Sequence, residues 1–534
     1  MAKYEYLPGV DIATQDGGLI LPEDTTTESM LIIAPSLAEN SPEEPVLVRQ
    51  SSELVSSGFG DFYVGGIVNP IAAEWKSAQE AGNRRVYLLA LKGKTEKEQF
   101  LFLHELLFGV LADFTVDHVV LTGAPVDKEI EGLVASDFLS EEAQVEFPHV
   151  PGIRITGNSV VSEEILSLPI EIKTGTNDTI TLAVKQADGT SKDVTITLTP
   201  GKYDGQTLKA EDLVKDVQAE LEKLVDVKGR AYTSNGHLAI MLDSEFSVKA
   251  SKAVELGFKV DAASKVVKDP LGVIVRGNFG KLLGDYAENQ TLIHNSVLTY
   301  IGVTPAREAS LKGVKEQVDR LLKLDNEYSG HLQVVAHEVG ILLPLTNQLY
   351  FLNGATHYAA LISQLRAESA PTNKTLKGIR VVRYNYSLRQ LNMLTGKRYV
   401  TFRLKNGSLI VTDGCTTAPK LEMAGVTRDS DYVRLSTVRI TQEAIKVVRG
   451  ACEPFIGEPN QMPQYNALNT AIKGALEAMR AAGALSDYKF TVVAESGTLD
   501  AARVTLLLVP MFELRRISVE IGLRPPQSYT GISL

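Results

Sequence analysis

The feature that most constrains this chain is a repeated alternation of short, unbroken apolar runs with stretches of helical spacing. MLIIAP (30–35) and VLVRQ (46–50) precede a helix-like NPIAAEWKSAQEAG (69–82) closed by a glycine, and the apolar run RVYLLAL (85–91) follows. The helix-like EKEQFLFLHELLFGVLADF (96–114) and the strand DHVVLTG (117–123) come next. The texture returns with SVLTYIGVTP (296–305), REASLKGVKEQVDRLLKL (307–324), HLQVVAHEVGIL (331–342) and HYAALISQLRAE (357–368), and breaks at SAPTNKTLKG (369–378). Buried strands alternating with amphipathic helices predict an α/β layer with parallel strands.

Between 156 and 270 the pattern changes. IEIKTG, TITLAVK and VTITLTP alternate strictly and are rich in β-branched residues, Asp188–Gly189 signals a hairpin, and AEDLVKDVQAELEKL (210–224) reads as one helix. This is the composition of a compact α+β insertion. Near the C-terminus two helices are expected. YVRLSTVRITQEAIKVVRG (432–450) ends at Gly450, and NALNTAIKGALEAMRAAG (466–483) is capped by Asn466 and Gly483. Between them lies CEPFIGEPN (452–460), where two residues precede prolines and are pushed out of the helical region. Pro454, Gly457 and Pro459 therefore predict a stiff, extended joint.

The fold class that follows is multidomain α/β and α+β: a parallel-type α/β core, an inserted β-rich α+β domain and a C-terminal α+β domain with extended terminal arms. The expected boundaries are an N-terminal arm at 1–25, the α/β domain in two parts at 26–155 and 271–415, and the insertion at 156–270. A C-terminal domain at 416–512 and a C-terminal arm at 513–534 complete them. A length of 534 residues accommodates three or four such units.

A formal charge of −11 disfavours contact with nucleic-acid phosphates or anionic lipid, so no direct nucleic acid is expected as partner. The longest apolar runs, such as VTLLLVPMF (504–512), fall well short of a membrane span, so no membrane insertion is expected either. MAKYEYLPGVDI lacks the features of a signal peptide, which predicts a chain made and kept in the cytoplasm until lysis. Cys415 and Cys452 are too few for a disulfide framework and read as reduced thiols, with an inter-subunit bridge as the lesser alternative.

Searching for chemistry produces no catalytic, cofactor or metal site. HEVG (337–340) lacks the second histidine of a zinc helix, because position 341 is isoleucine, and it reads as a strand. GKT (93–95) lacks the leading glycine of a phosphate loop, because position 88 is leucine, and GFGDFYVGG (58–66) lacks dinucleotide spacing. Cys452 at a helix end beside Pro454 and Phe455 reads as a small buried thiol rather than a nucleophile. A cytosolic α/β enzyme of unknown substrate remains the alternative from another functional class.

The order of segments resembles the tail sheath proteins of contractile phages and related injection machines. PGV (8–10), SSELVSSGFG (51–60), RVYLLAL, SAPTNKTLKG and, at the C-terminus, RLSTVRI, CEPFIGEPN and GALSDYKFTV (483–492) are similar to that family's landmarks in its order. The resemblance covers about three quarters of the chain and leaves out 156–270, which it implies lies on the outer surface, with 416–512 as the inner, lattice-forming domain.

It implies a structural subunit, without cofactors, that stacks as six-fold rings around an inner tail tube and contracts to drive the tube through a host envelope. The implied partners are copies of itself, the tube protein, and baseplate and tail terminator proteins. The implied location is a virion tail assembled in the host cytoplasm. A bacteriocin-like or secretion-type injection sheath is the second version of this reading.

The family's arms match two alternating stretches here. Val10 and Ile12 flank Asp11, and Ile517, Val519 and Ile521 share one face of ISVEIGL, ending at Pro525 and Pro526. Such strands suit pairing with a neighbour's sheet edge, or alternatively completion of their own. Arg434, Arg439, Lys446, Arg449, Lys473 and Arg480 give the two C-terminal helices a basic excess, which is expected to face an acidic tube or simply solvent.

Overall fold

The structure is a computed structural model. It describes residues 28–133, 153–458, 461–494, 502–515 and 518, apart from 166–168, 186–189, 204–209, 224–228, 235–236, 243–244, 252–255, 260–263, 268–273, 294–295, 345, 380 and 424–425. Val10, Ile12, Asp188, Gly189, Pro459, Ile517, Val519 and Ile521 lie outside the described residues.

The unbroken apolar runs form the centre. Strands β1 (Met30–Pro35), β2 (Val46–Leu47), β3 (Val86–Leu91), β4 (His118–Leu121), β5 (Leu298–Gly302), β6 (Leu332–Val335) and β7 (Tyr399–Val400) make a seven-stranded sheet in the order β2-β3-β1-β4-β5-β6-β7. All neighbours are parallel except the edge pair β2–β3. Ile32 sits opposite both Leu88 and Val120, and Val120 opposite Tyr300, which fixes which side chains share a face.

The period of two along β1 divides its residues between two cores. Leu31 and Ile33 join Phe100 and Leu103 of α2 (Glu96–Glu105), Phe279 and Leu283 of α3 (Phe279–Ile293), and Val314 and Leu321 of α4 (Leu311–Lys323). Met30 and Ile32 join Ile71 and Trp75 of α1 (Pro70–Ala81) and Tyr358 and Ile362 of α5 (Ala355–Ile362). Cover on both faces is why these strands need no polar alternation.

Several boundaries differ from the sequence expectation. The helix expected to reach residue 114 is α-helical only to Glu105 and continues as a π-type turn over Leu106–Val110. HLQVVAHEVGIL is two strands rather than one. After β6 the chain turns at His337, whose Nδ1 accepts the Phe402 N–H at 3.0 Å and whose carbonyl accepts from Gly354, and Glu338–Leu342 pairs in a separate three-stranded sheet. An imidazole thus stands where a ladder partner would be.

Segment 156–270 contains alternating strands around the helix Ala210–Glu222, with a core that includes Ile180, Leu182, Val217 and Leu221. Thr179–Lys185 and Ser191–Thr197 pair antiparallel in the register a hairpin requires. A 13-residue strand, Ile153–Ile165, carries the chain across position 155 and pairs with the returning Ile274–Gly277. Entry and exit are therefore adjacent, as an insertion demands.

Candidate functional site

The C-terminal part is built from helices α6 (Leu435–Cys452) and α7 (Met462–Ala481) and the hairpin β8 (Leu485–Ala494) and β9 (Ala502–Pro510). Three local expectations are corrected here. Gly450 does not end its helix, which runs on to Cys452, where Cys452 and Phe455 still meet the core. Asn466 is not a cap, because α7 starts four residues earlier with a proline in its first turn, where no N–H is needed. The joint is not an extended strut. Glu453 keeps helical dihedrals (φ −53°, ψ −41°) although it precedes Pro454, and Glu453–Phe455 forms a 3₁₀ turn. The reversal falls on Ile456, which is extended, and on Gly457 at φ +91°, a conformation that favours glycine.

Ile440, Ala444 and Val448 of α6 pack with Leu468, Ile472, Leu476 and Met479 of α7, and one face of the hairpin lies on them. Tyr488, Phe490 and Val492 of β8 stand opposite Leu508, Leu506 and Val504 of β9, all half-buried against the helices. The other face is open to solvent, with Val493, Leu507 and Val509 exposed and Leu507 at 67%. Among the described residues no further strand pairs with either outer edge of this two-stranded sheet. A hairpin of two strands is marginal by itself, and unpaired edges offer a row of backbone donors and acceptors to another strand.

The described residues nearest the two chain ends are both tied to the region where α6 starts. At the N-terminal root, Glu28 accepts from Arg439 Nη2 at 3.2 Å and bonds His118 Nε2 at 2.6 Å. Burial would raise the Glu28 carboxyl, but the His118 hydrogen bond and charge and the Arg439 guanidinium outweigh it and hold it down to about 2. At the C-terminal root, Arg515 pairs with Asp413, and the Arg434 guanidinium lies 5.7 Å from the centre of the Phe512 ring.

These contacts divide the six basic residues expected to face a tube. Arg439 is only 4% exposed and also donates to the carbonyls of Leu365 and Arg366, so it does not present its charge to a partner. Its burial follows from position: Leu435, Val438, Arg439 and Gln442 fall on one helical face, and all four are buried. That spacing was available in the sequence. Arg434, the residue before α6, is half-buried with its guanidinium over the Phe512 ring. Lys446, Arg449, Lys473 and Arg480 are exposed, Lys446 at 3.8 Å from Asp117 and Arg480 at 2.8 Å from Glu477.

The remaining candidates for chemistry are structural. His337 is buried among Tyr384, Tyr386 and Phe402, and burial pushes its imidazole down to about 3. Cys415 is buried, which pushes its thiol up to about 12, whereas Cys452 is half-buried.

No protein-family profile matches the sequence, and no curated protein does. Among solved structures, a chain of the anti-feeding prophage baseplate, six-fold symmetrised, superposes with a TM-score of 0.50 at 12% identity, over 97% of this chain and 99% of that chain. A chain of the anti-feeding prophage helical sheath in its contracted state gives 0.47 at 12% identity, over 97% and 99%. A chain of the contracted PVC sheath complex, an extracellular contractile injection system, gives 0.47 at 10% identity, over 98% and 98%. The fold is thus shared with a chain of the baseplate structure.

Proposed function

We propose that this chain is the repeating subunit of a contractile sheath, stacked as six-fold rings around an inner tube, and that its terminal segments pair with the hairpins of neighbouring copies. The observation that carries this reading is the open-edged hairpin β8–β9, packed on a helix pair of which one member, α6, contacts both chain roots near its start. Residues 1–25 and 513–534 supply the strands that would fill those edges, through Val10 and Ile12 at one end and Ile517, Val519 and Ile521 at the other.

Magnitudes favour a repeated contact of this kind. A net hydrogen bond contributes about 0.5–1.5 kcal/mol and a buried Ile or Val about 1.5–3 kcal/mol, against about 1–2 kcal/mol per residue to order the arm. One docked arm is therefore close to neutral, whereas two per subunit throughout a tube bind strongly by multivalency. Such head-to-tail contacts do not close on themselves, so they generate a helix, and the arms hold subunits together while their bodies rotate during contraction.

The likeness in fold to an anti-feeding prophage chain supports the sheath reading, whether as a bacteriocin-like or secretion-type injection sheath or as a phage tail sheath. The implied partners are further copies, an inner tube protein, and baseplate and terminator proteins. Electron microscopy of the purified chain tests the proposal. Tubes or stacked rings are expected, together with their loss when residues 1–25 are deleted. A discrete small oligomer indifferent to that deletion would refute it.

A further inference from the structure

The six parallel strands β1 and β3–β7 run outward from one point. From β1 the chain crosses to β3 on one side, and β4, β5, β6 and β7 follow on the other, so the direction of winding reverses between β1 and β4. At such a switch point the loops leaving adjacent strands part, and a crevice opens beyond their carboxyl ends. Here a cavity of about 300 Å³ lies there, bounded by Pro35 at the end of β1, Thr122 and Gly123 after β4, and Gly302 at the end of β5. Its floor is tight: a Cβ on Gly123, at φ +80°, would stand 2.4 Å from Pro35, and one on Gly302 would stand 2.1 Å from Asn353.

One wall is polar in an unusual way. Glu74 of α1 is 5% exposed, and no described residue offers a hydrogen bond to its Oε2. Thr122, equally buried, has an unpartnered hydroxyl on the same cavity. Glu338, the second carboxyl there, is already held by Arg383 at 3.1 Å, and among the described residues no lysine or arginine lines the space. Burial first, then the Glu74 and Glu338 carboxyls, raise the phenol of Tyr350, which lines the same cavity. The opposite wall is apolar, with Pro70, Pro125, Val303 and Pro305.

We propose that this cavity binds a small organic cation, a primary ammonium on a short apolar body. The ammonium donates to Glu74 Oε2 and Thr122 Oγ1, and the body lies against the prolines. An anion would meet two carboxyls and no cation. A neutral alcohol would meet the carboxyl without supplying a counter-charge. A carboxylate is costly to bury unpaired, so without a ligand the site holds the Glu74 carboxyl protonated; binding of the ammonium releases that proton to solvent and supplies the counter-ion the fold withholds.

Calorimetric titration of the full chain with n-butylammonium and, separately, 1-butanol decides it. Butylammonium is expected to bind one per chain, saturably, and about tenfold or more tighter than butanol, the gain of a charge-assisted hydrogen bond. Glu74→Gln is expected to bring the amine to the affinity of the alcohol. Thr122→Val, a second variant should Glu74→Gln misfold, is expected to weaken the amine severalfold. No saturable amine binding, equal binding of amine and alcohol, or a Glu74→Gln chain that binds as well as the parent would each overturn the proposal. Tube formation by the same samples is read independently, so this site and the sheath reading fail separately.

Discussion

Glu28 and Arg439 stand 411 positions apart in the chain and 3.2 Å apart in the molecule. The contact joins the residue at which the described chain begins to the first half of α6, with His118 of β4 on the carboxylate's other side. It ties the α/β sheet, the C-terminal helices and the root of the N-terminal segment at one point.

Arg439→Met therefore removes more than a charge. It leaves the Leu365 carbonyl without its side-chain donor, the Arg366 carbonyl with only the Ser369 N–H and the Glu28 carboxylate with only His118. A loss of about 2–3 kcal/mol is expected in urea unfolding, with the Glu28 share discounted because that carboxyl is partly in water. A change below about 0.5 kcal/mol, the level of an ordinary surface substitution, would show that the clamp does not stabilise.

Acid should act in two stages. His331, His337 and His357 are held neutral by burial, at about 4, 3 and 4, so the stability they contribute is present above their ordinary value of 6.5 and is lost as the pH falls below it. Glu28 is depressed from 4.5 to about 2, so its contribution is lost only between those values. Urea midpoints of Glu28→Gln should run parallel to the parent from pH 6.5 to 5 and fall less steeply below 4.5. Parallel curves down to pH 2.5 would contradict the assignment.

Glu74 has the opposite sign. Burial pushes its carboxyl up to about 8, against the smaller influence of the Thr356 and Thr122 hydroxyls, so the folded chain retains a proton that the unfolded chain releases above 4.5. Its contribution falls as the pH rises from 4.5 to 8. Glu74→Gln should remove that decline and raise the melting temperature at pH 8 relative to the parent, read by calorimetry at pH 5 and 8. A variant less stable than the parent at pH 8 would exclude this account.

The outer face of the hairpin allows assembly to be separated from folding. Leu507 points to solvent, so Leu507→Glu should change stability by no more than about 0.5 kcal/mol. If neighbouring strands extend this sheet, the same variant should form few or no tubes under conditions where the parent forms them. Undiminished tubes would remove the hairpin face from the interface.

The basic surface that remains after Arg439 is withdrawn includes Arg449 on α6 and Lys473 on α7, both exposed. Reversing both to Glu should leave unfolding nearly unchanged, as exposed charges contribute little to it. Co-assembly with an acidic tube protein should be lost at low salt. Tube-templated assembly that survives the reversal would assign these charges to solvent.

The sequence by itself determined the elements, because periodicity is local: β1, β3 and β4 are apolar at successive positions, α1 is stopped by Gly82 at φ +107°, and the strands of 156–270 alternate. It also held the burial of Arg439 in the spacing of Leu435, Val438, Arg439 and Gln442, a signal obscured because arginine is ordinarily a surface residue. Only the tertiary structure decided what that arginine meets, the strand order that opens a crevice between β1 and β4, and the isolation of Glu74 within it. Each of these depends on groups dozens to hundreds of positions apart, and no local pattern encodes a distance set by the packing of the whole chain.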